Sequence, residues 1–294
     1  MKGWQGKENR NLRAPDVCPD VFLEYQKRWA ADESPVKCMV KSRRIGLSWC
    51  EAGEDALLAA SANGMDVFYI GYNKDMALEF IEDCADWSRY FNEAAGEIEE
   101  FIWKDEGEEK KDIQAFRIRY PSGWKITALS SRPANLRGKQ GKIVIDEAAF
   151  HDDLPGLLKA AMAMLMWGGR VVVISTHNGD DHPFNELVQE ILAGKKPYSL
   201  HRVTIDDALK VGLYRRICLR LGKEWTPEGE VQWRESLFDF YGDDADEELL
   251  AVPARGGGSY LTRMMIESCM SEDIPVLRWT PPEKGFVHWD DASR

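Results

Sequence analysis

The chain has 294 residues, 44% of them hydrophobic and 30% charged, with a net charge of −12 and a pI of about 5.0. This composition excludes a disordered chain and a coiled coil. The acidic balance argues against a protein that binds nucleic acid over its whole surface, while leaving room for a local basic patch.

The length fits one large α/β domain and a smaller appendage. No apolar run is long enough to span a bilayer, so no membrane partner is expected. The N-terminus, Met1 to Lys7, lacks the apolar core of a signal peptide. The six cysteines (Cys18, Cys38, Cys50, Cys84, Cys218, Cys269) form no CxxC pair, and a reducing cytoplasm is the simplest compartment.

In chain order, Val21 to Trp29 is amphipathic and Val36 to Val40 reads as a short apolar strand. It runs into Lys41-Ser42-Arg43-Arg44-Ile45-Gly46-Leu47-Ser48, and a helix follows from Leu47 to Ala62, ended by Asn63-Gly64. Met65 to Tyr72 reads as a buried strand and Lys74 to Tyr90 as a helix. Residues 97 to 112 are very acidic and read as a solvent-exposed excursion. Ala115 to Tyr120 and Trp124 to Leu129 alternate in polarity around Pro121-Ser122-Gly123, a hairpin signal. Lys142 to Asp146 and Arg170 to Ser175 are further core strands; Leu154 to Met166 and Phe184 to Leu192 are helices. Strands alternating with helices imply a mostly parallel sheet with helices on both faces.

Beyond residue 206 the strand pattern fades. Asp206 to Leu221 and Pro227 to Tyr241 read as helices, Arg255 to Ser259 as a turn or hinge, and Thr262 to Met270 as a short helix. Trp279 to Lys284 reads as a linker, and Gly285 to Asp290 as a last strand-like piece. Two basic clusters stand out, Lys37 to Arg44 and Arg202 through Lys223; the second also fits a solvated helix face.

A strand, a Gly-bearing turn and a helix opening on Ser48 is the arrangement of a phosphate-binding loop, where main-chain N–H groups and the helix dipole favour anions. The plain pattern GxxxxGK[ST] fails, because Leu47 stands where the lysine belongs. The chemistry closes if Lys41, at the other end of the turn, reaches the β/γ-phosphates. Gly46 then allows close backbone approach, Ser48 ligates Mg²⁺, and Arg43 or Arg44 offsets charge on the γ-phosphate. A basic turn before a helix fits the same residues.

Ile143-Val144-Ile145-Asp146-Glu147 is an apolar strand ending in two acids. In phosphoryl-transfer sites one acid holds the Mg²⁺ shell and another residue orients the water. Adjacent strand residues point to opposite sides, so two such roles require the strand to end there; a mere strand terminus also fits. Arg170 to Ser175 runs into Thr176-His177-Asn178-Gly179. Ligands of open α/β sheets bind at strand carboxyl ends, which puts Lys41, Asp146 and Ser175 at one edge.

Together these segments resemble the ATPase of phage large terminases, most closely the Mu-like branch. Lys41 to Ser48, with Ser42, Arg43, Arg44, Ile45, Gly46 and Leu47 between them, is similar to Walker A forms that carry the lysine at the head of the loop. Ile143 to Ala148 is similar to the family's Walker B with its catalytic glutamate, here Glu147. Ser175-Thr176-His177 looks like the coupling motif, although His177 departs from its proline form. Tyr25-Gln26 looks like the adenine-reading glutamine motif. Arg137-Gly138 and Pro253 to Leu261 add further similarity.

The resemblance implies a P-loop ATPase domain over residues 1–205, a small, mostly helical linker subdomain over 206–280, and over 281–294 a linker or the start of a nuclease domain missing from this chain. It implies ATP and Mg²⁺ as cofactors. It implies double-stranded DNA, a portal protein and a small terminase subunit as partners, a homo-oligomeric ring when active, and the host cytoplasm as the place of action. Asp290 or Asp291 could correspond to the first acid of the nuclease, although a linker or a truncated strand is the better reading of those residues, and the chain is expected to hydrolyse ATP without cutting DNA. A helicase-like ATPase and an inactive prophage remnant are the rival readings.

Overall fold

The computed structural model describes residues 21–95, 102–104 and 116–255. The turn at residues 256–259, the helix at 262–270, the linker at 279–284, the strand-like piece at 285–290 with Asp290 and Asp291, and most of the acidic stretch at 97–112 lie outside them.

The described strands are β1 (Val36–Lys41), β2 (Val67–Ile70), β3 (Ile102–Lys104), β4 (Phe116–Arg119), β5 (Lys125–Leu129), β6 (Lys142–Asp146), β7 (Arg170–Ser175) and β8 (Ser199–Val203). They form one sheet in the order β3-β4-β5-β2-β6-β7-β1-β8. The pairs from β5 through β8 are parallel. β3-β4-β5 is an antiparallel extension, and its β4–β5 hairpin closes on Pro121-Ser122-Gly123 as the alternation suggests.

The helices are α1 (Glu24–Ala30), α2 (Leu47–Ala60), α3 (Lys74–Ala95), α4 (Leu154–Met162), α5 (Pro183–Leu192), α6 (Ile205–Lys210), α7 (Leu213–Leu221), α8 (Pro227–Tyr241) and α9 (Ala245–Glu248). Their starts are written in side chains. Asp153 accepts the Gly156 N–H at 2.9 Å to cap α4, Thr204 and Asp207 form a reciprocal capping box on α6, and Thr226 caps α8 ahead of Pro227; each meets a donor that the first helical turn leaves without a partner.

β1, β6 and β7 are buried almost throughout, on both faces, which is why their sequences are mostly apolar. Alternate residues divide them between two cores. Met39, Tyr69, Val144, Val172 and Ile174 pack with α1, α2, α3 and the α6–α7 residues Ile205, Ala208 and Leu213. Cys38, Val40, Phe68, Ile143, Ile145, Val171 and Val173 pack on the other face with α4 and α5. α2 lies so close to α3 that a Cβ on Gly53 would meet the Trp87 ring at 2.8 Å.

Candidate nucleotide site

β6, β7 and β1 are neighbours, and Asp146 and Met39 both pair with Ile174 of the strand between them. Lys41, Asp146 and Ser175 therefore leave the sheet within about a residue or two of one another along its carboxyl edge, at ~3.3 Å per residue.

The loop after β1 is built by its left-handed residues. Arg44 has φ 54° and Gly46 has φ 73°, a conformation that glycine adopts without cost and arginine does not. α1 fastens this loop from beneath. The Tyr25 hydroxyl donates to the Ile45 carbonyl, and Gln26 Nε2 donates to the Gly46 carbonyl at 2.7 Å. Gln26 Oε1 accepts the Leu23 N–H at 2.8 Å. Gln26 is 4% exposed and both ends of its amide already hold protein. Ile45 and Leu47 are buried in the core, so only their main-chain groups face the loop. Ser42 is turned away as well: its N–H donates to the Val203 carbonyl at 2.8 Å and its hydroxyl to the Glu248 carbonyl at 3.3 Å. Arg43 Nε lies 3.1 Å from Glu248 Oε2, while the Arg44 side chain is exposed.

The two acids at the end of β6 are separated by a backbone turn. Asp146 is the last strand residue, and Glu147 has φ 48° and ψ 50°. That left-handed step costs on the order of 1–3 kcal/mol for a residue with a Cβ, and it removes the opposition that pleating would impose. Glu147 Oε1 meets Lys41 Nζ at 2.8 Å. Asp146 Oδ2 accepts from Ser48 Oγ at 2.7 Å and from the Tyr69 hydroxyl at 3.0 Å, and its Oδ1 accepts the Glu147 N–H at 2.9 Å. Burial, then the charge of Glu147, push the Asp146 carboxyl above its ordinary value, against Lys41, Ser48 and Tyr69. Glu147 Oε2 is buried without a hydrogen-bond partner among the described residues.

Ser175 Oγ accepts the Ala149 N–H at 3.0 Å, and Asn178 Nδ2 donates to the Ala149 carbonyl at 3.0 Å. The end of β7 is thereby tied to the turn that carries Glu147. Thr176 and His177 are buried; Thr176 Oγ1 and His177 Nδ1 have no hydrogen-bond partner among the described residues. Burial lowers the His177 pKa below its ordinary value.

Sequence reasoning passes over Tyr69, whose signal is one phenol inside an apolar strand, and His151, whose Nε2 lies 2.9 Å from the Asp146 carbonyl and whose Nδ1 lies 2.6 Å from Ser131 Oγ. Of the basic clusters, Lys37 is buried on Glu54 at 2.8 Å. Arg202 holds the Leu250 carbonyl at 2.5 Å and Arg216 the Val21 carbonyl at 2.7 Å, so part of each run serves folding.

Ser48 and Asp146 offer the hard oxygen donors that suit Mg²⁺. Their oxygens, 2.7 Å apart, come close to the roughly 3 Å between adjacent ligands of an octahedron with bonds of about 2.1 Å.

A mostly parallel sheet with helices on both faces, a lysine-bearing loop entering a helix and an Asp-Glu strand end define a P-loop NTPase fold. Residues 38–268 match the family described as "Terminase large subunit, T4likevirus-type, N-terminal", and the chain belongs to that family. It is 49% identical to the Mu-like prophage FluMu protein gp28 of Haemophilus influenzae over 95% of this chain and 56% of that protein. It is also 49% identical to the probable terminase large subunit gp28 of Escherichia phage Mu, over 90% of this chain and 49% of that one. The chain thus spans about half the length of the curated relatives it matches.

Among solved structures it resembles the large terminase ATPase domain of Thermus phage P74-26, with TM-score 0.55, 17% identity, and 78% of this chain and 93% of that one covered. It also resembles the large terminase of a thermophilic bacteriophage in complex with ADP, with TM-score 0.53, 14% identity, and 79% and 53% covered. The likeness to both lies in the fold.

Proposed function

We propose that this chain is the ATP-hydrolysing motor of a phage DNA-packaging terminase, moving double-stranded DNA into a procapsid in the host cytoplasm. The observation that carries the reading is the meeting of Lys41, from the head of the loop, with Glu147, from the end of β6, at 2.8 Å. It gives the lysine that the plain motif lacks and sets it beside the acid expected to handle water. The terminase relatives and the ADP-bound structural neighbour support the same reading.

In this scheme Lys41 exchanges Glu147 for the β/γ-phosphates. The amides of Ser42 and Arg43 are taken by the Val203 and Glu248 carbonyls, so phosphate contact falls to the amides from Arg44 through Ser48. Gln26 would have to give up its bond to Gly46 or to Leu23 to read adenine. Ser48 and Asp146 would hold Mg²⁺, whose charge would offset that of the phosphates. Glu147, released from Lys41, accepts the proton of the attacking water, and Arg43 or Arg44 offsets charge on the transferred group. Ser175, Thr176 and His177 pass the state of the site onward through the Ser175–Ala149 bond. Residues 1–205 form the ATPase unit in this reading, and the helices after 206 the start of a linker subdomain. DNA, a portal protein, a small terminase subunit and further copies of the chain in a ring are its partners. No described helix is long and apolar enough to cross a membrane.

The test is ATP turnover with and without double-stranded DNA, on wild type and Glu147→Gln. Wild type should be stimulated by DNA. The variant should still bind ATP and lose at least about 10²-fold in turnover, the lower range for a lost general base. Wild-type turnover by Glu147→Gln would assign the water to another residue.

A further inference from the structure

The acidic run Asp243 to Glu248 reads from sequence as a solvated stretch, and Asp243, Asp244 and Asp246 are indeed exposed. Its last two glutamates are not. Glu247 Oε1 accepts the Gly179 N–H at 2.6 Å and the Ala254 N–H at 3.0 Å. Gly179 lies in the turn just beyond Ser175-Thr176-His177, and the Asp180 N–H donates to the Ala254 carbonyl at 3.0 Å, closing the same turn onto the same segment. Glu248 faces the phosphate loop. Its main-chain carbonyl accepts the Arg43 N–H at 2.9 Å and the Ser42 hydroxyl at 3.3 Å, and its carboxylate pairs with Arg43 at 3.1 Å. The carbonyl of Leu249, next along, accepts the Ile205 N–H at 2.8 Å.

We infer that Glu247 and Glu248 are positioning residues, a staple through which α9 makes the phosphate loop and the turn after β7 move as one. Neither is required to touch nucleotide. A carboxylate accepting two main-chain N–H groups makes charge-assisted bonds, about twice as strong as neutral ones. A short helix anchored at adjacent residues leaves little slack between its two contacts. An anion that draws Arg43 from Glu248 shifts the loop side of the staple. Glu247 carries that shift to Gly179 and to Ala254. This route runs beside the Ser175–Ala149 bond and reaches the coupling turn from its far side.

The inference rests on the nucleotide reading above, and amide hydrogen exchange on the full chain separates the two. Wild type is compared with and without a non-hydrolysable ATP analogue and Mg²⁺. Exchange should slow in residues 41–48, and also in 178–181 and 247–254. In Glu247→Ala the slowing at 41–48 should persist while the response at 178–181 is lost. Glu247→Gln, whose Oε1 still accepts both N–H groups, should restore it; a residue needed only for folding charge would give no such rescue. A response at 178–181 in Glu247→Ala equal to wild type overturns the staple. So does slowing at 41–48 of wild type with none at 247–254, which decides the matter even where the alanine variant fails to fold. No slowing at 41–48 in wild type removes the nucleotide reading itself, and the staple's role with it.

Discussion

Lys41 shows how a residue can reach a candidate site although the plain pattern around it fails. The Walker pattern places its lysine at the first turn of the helix, and Leu47 there is buried in the core. Lys41 ends β1 instead, and its side chain is 6% exposed against Glu147. The sequence shows the lysine, the serine and the two acids. It does not show that Glu147 turns left-handed, because no local rule puts a glutamate at φ 48°; its contact with Lys41, the bond from its N–H to the Asp146 carboxylate and the Phe150 N–H on its carbonyl hold it there. Gln26 and Ser42 carry a second lesson. Both stand in the motif, yet both spend their hydrogen bonds on protein, which sequence spacing cannot reveal. Lys41→Ala should cut ATP turnover by at least about 10²-fold, the scale of one lost electrostatic contact to a reacting group, and weaken binding of a fluorescent ATP analogue. Lys41→Arg should not restore turnover, since a planar guanidinium does not replace a point-like ammonium. Full activity in the alanine variant would remove Lys41 from the site.

At the scale of elements, strands with continuous apolar runs are legible and edge elements are not. β8 carries Ser-Leu-His-Arg-Val with a half-exposed face, so its alternation is blurred. The helix expected from Asp206 to Leu221 is broken by Gly212 at φ 97° into α6 and α7. α2 hides another feature, a buried charge cluster. Lys142 Nζ is fully buried and lies 2.7 Å from Glu51, 2.8 Å from Glu54 and 2.7 Å from Asp55, tying the start of β6 to the helix that opens on Ser48. Burial would lower the Lys142 pKa, and the three acids overturn that and raise it. Burial pushes the Asp55 carboxyl up to about 8, with Lys142 opposing and Glu51 and Glu54 adding to the rise.

Two outcomes follow for that cluster. Lys142→Met should destabilise the fold by about 3–5 kcal/mol in a denaturant titration, the usual cost of stripping a buried charge of its partner. Asp55, with a folded pKa above its unfolded value, contributes stability that is greatest in acid. That contribution declines as pH rises from about 4, the ordinary value of an aspartate, and is gone once pH passes the folded value near 8. The stability of wild type relative to Asp55→Asn, measured by denaturant melts across this range, should therefore fall with pH and level off above it. A flat difference would mean that Asp55 is ionised in the fold.

For the whole molecule the proposed motor raises the question of which cation offsets the charge of the γ-phosphate during transfer. Arginines supplied in cis or in trans are worth on the order of 10³–10⁵ in the rate of phosphoryl transfer. In the resting chain Arg43 is paired with Glu248 at 3.1 Å and Arg44 is exposed at a left-handed position, so bringing either arginine to the γ-phosphate has a cost. A net charge of −12 adds repulsion between the chain and a nucleotide. A lone chain should therefore turn over slowly, and a neighbour in a ring would lower that cost. Specific activity should rise with protein concentration and level off as assemblies form, while nucleotide affinity, which the proposed site assigns to Lys41 and the loop, should change little. Steady-state turnover measured across a hundredfold range of protein, in parallel with sedimentation, checks this. Turnover that is fast and independent of concentration in chains that sediment as monomers would show that Arg43 or Arg44 leaves its resting place and completes the site alone; Arg43→Ala and Arg44→Ala would then identify which of the two does so.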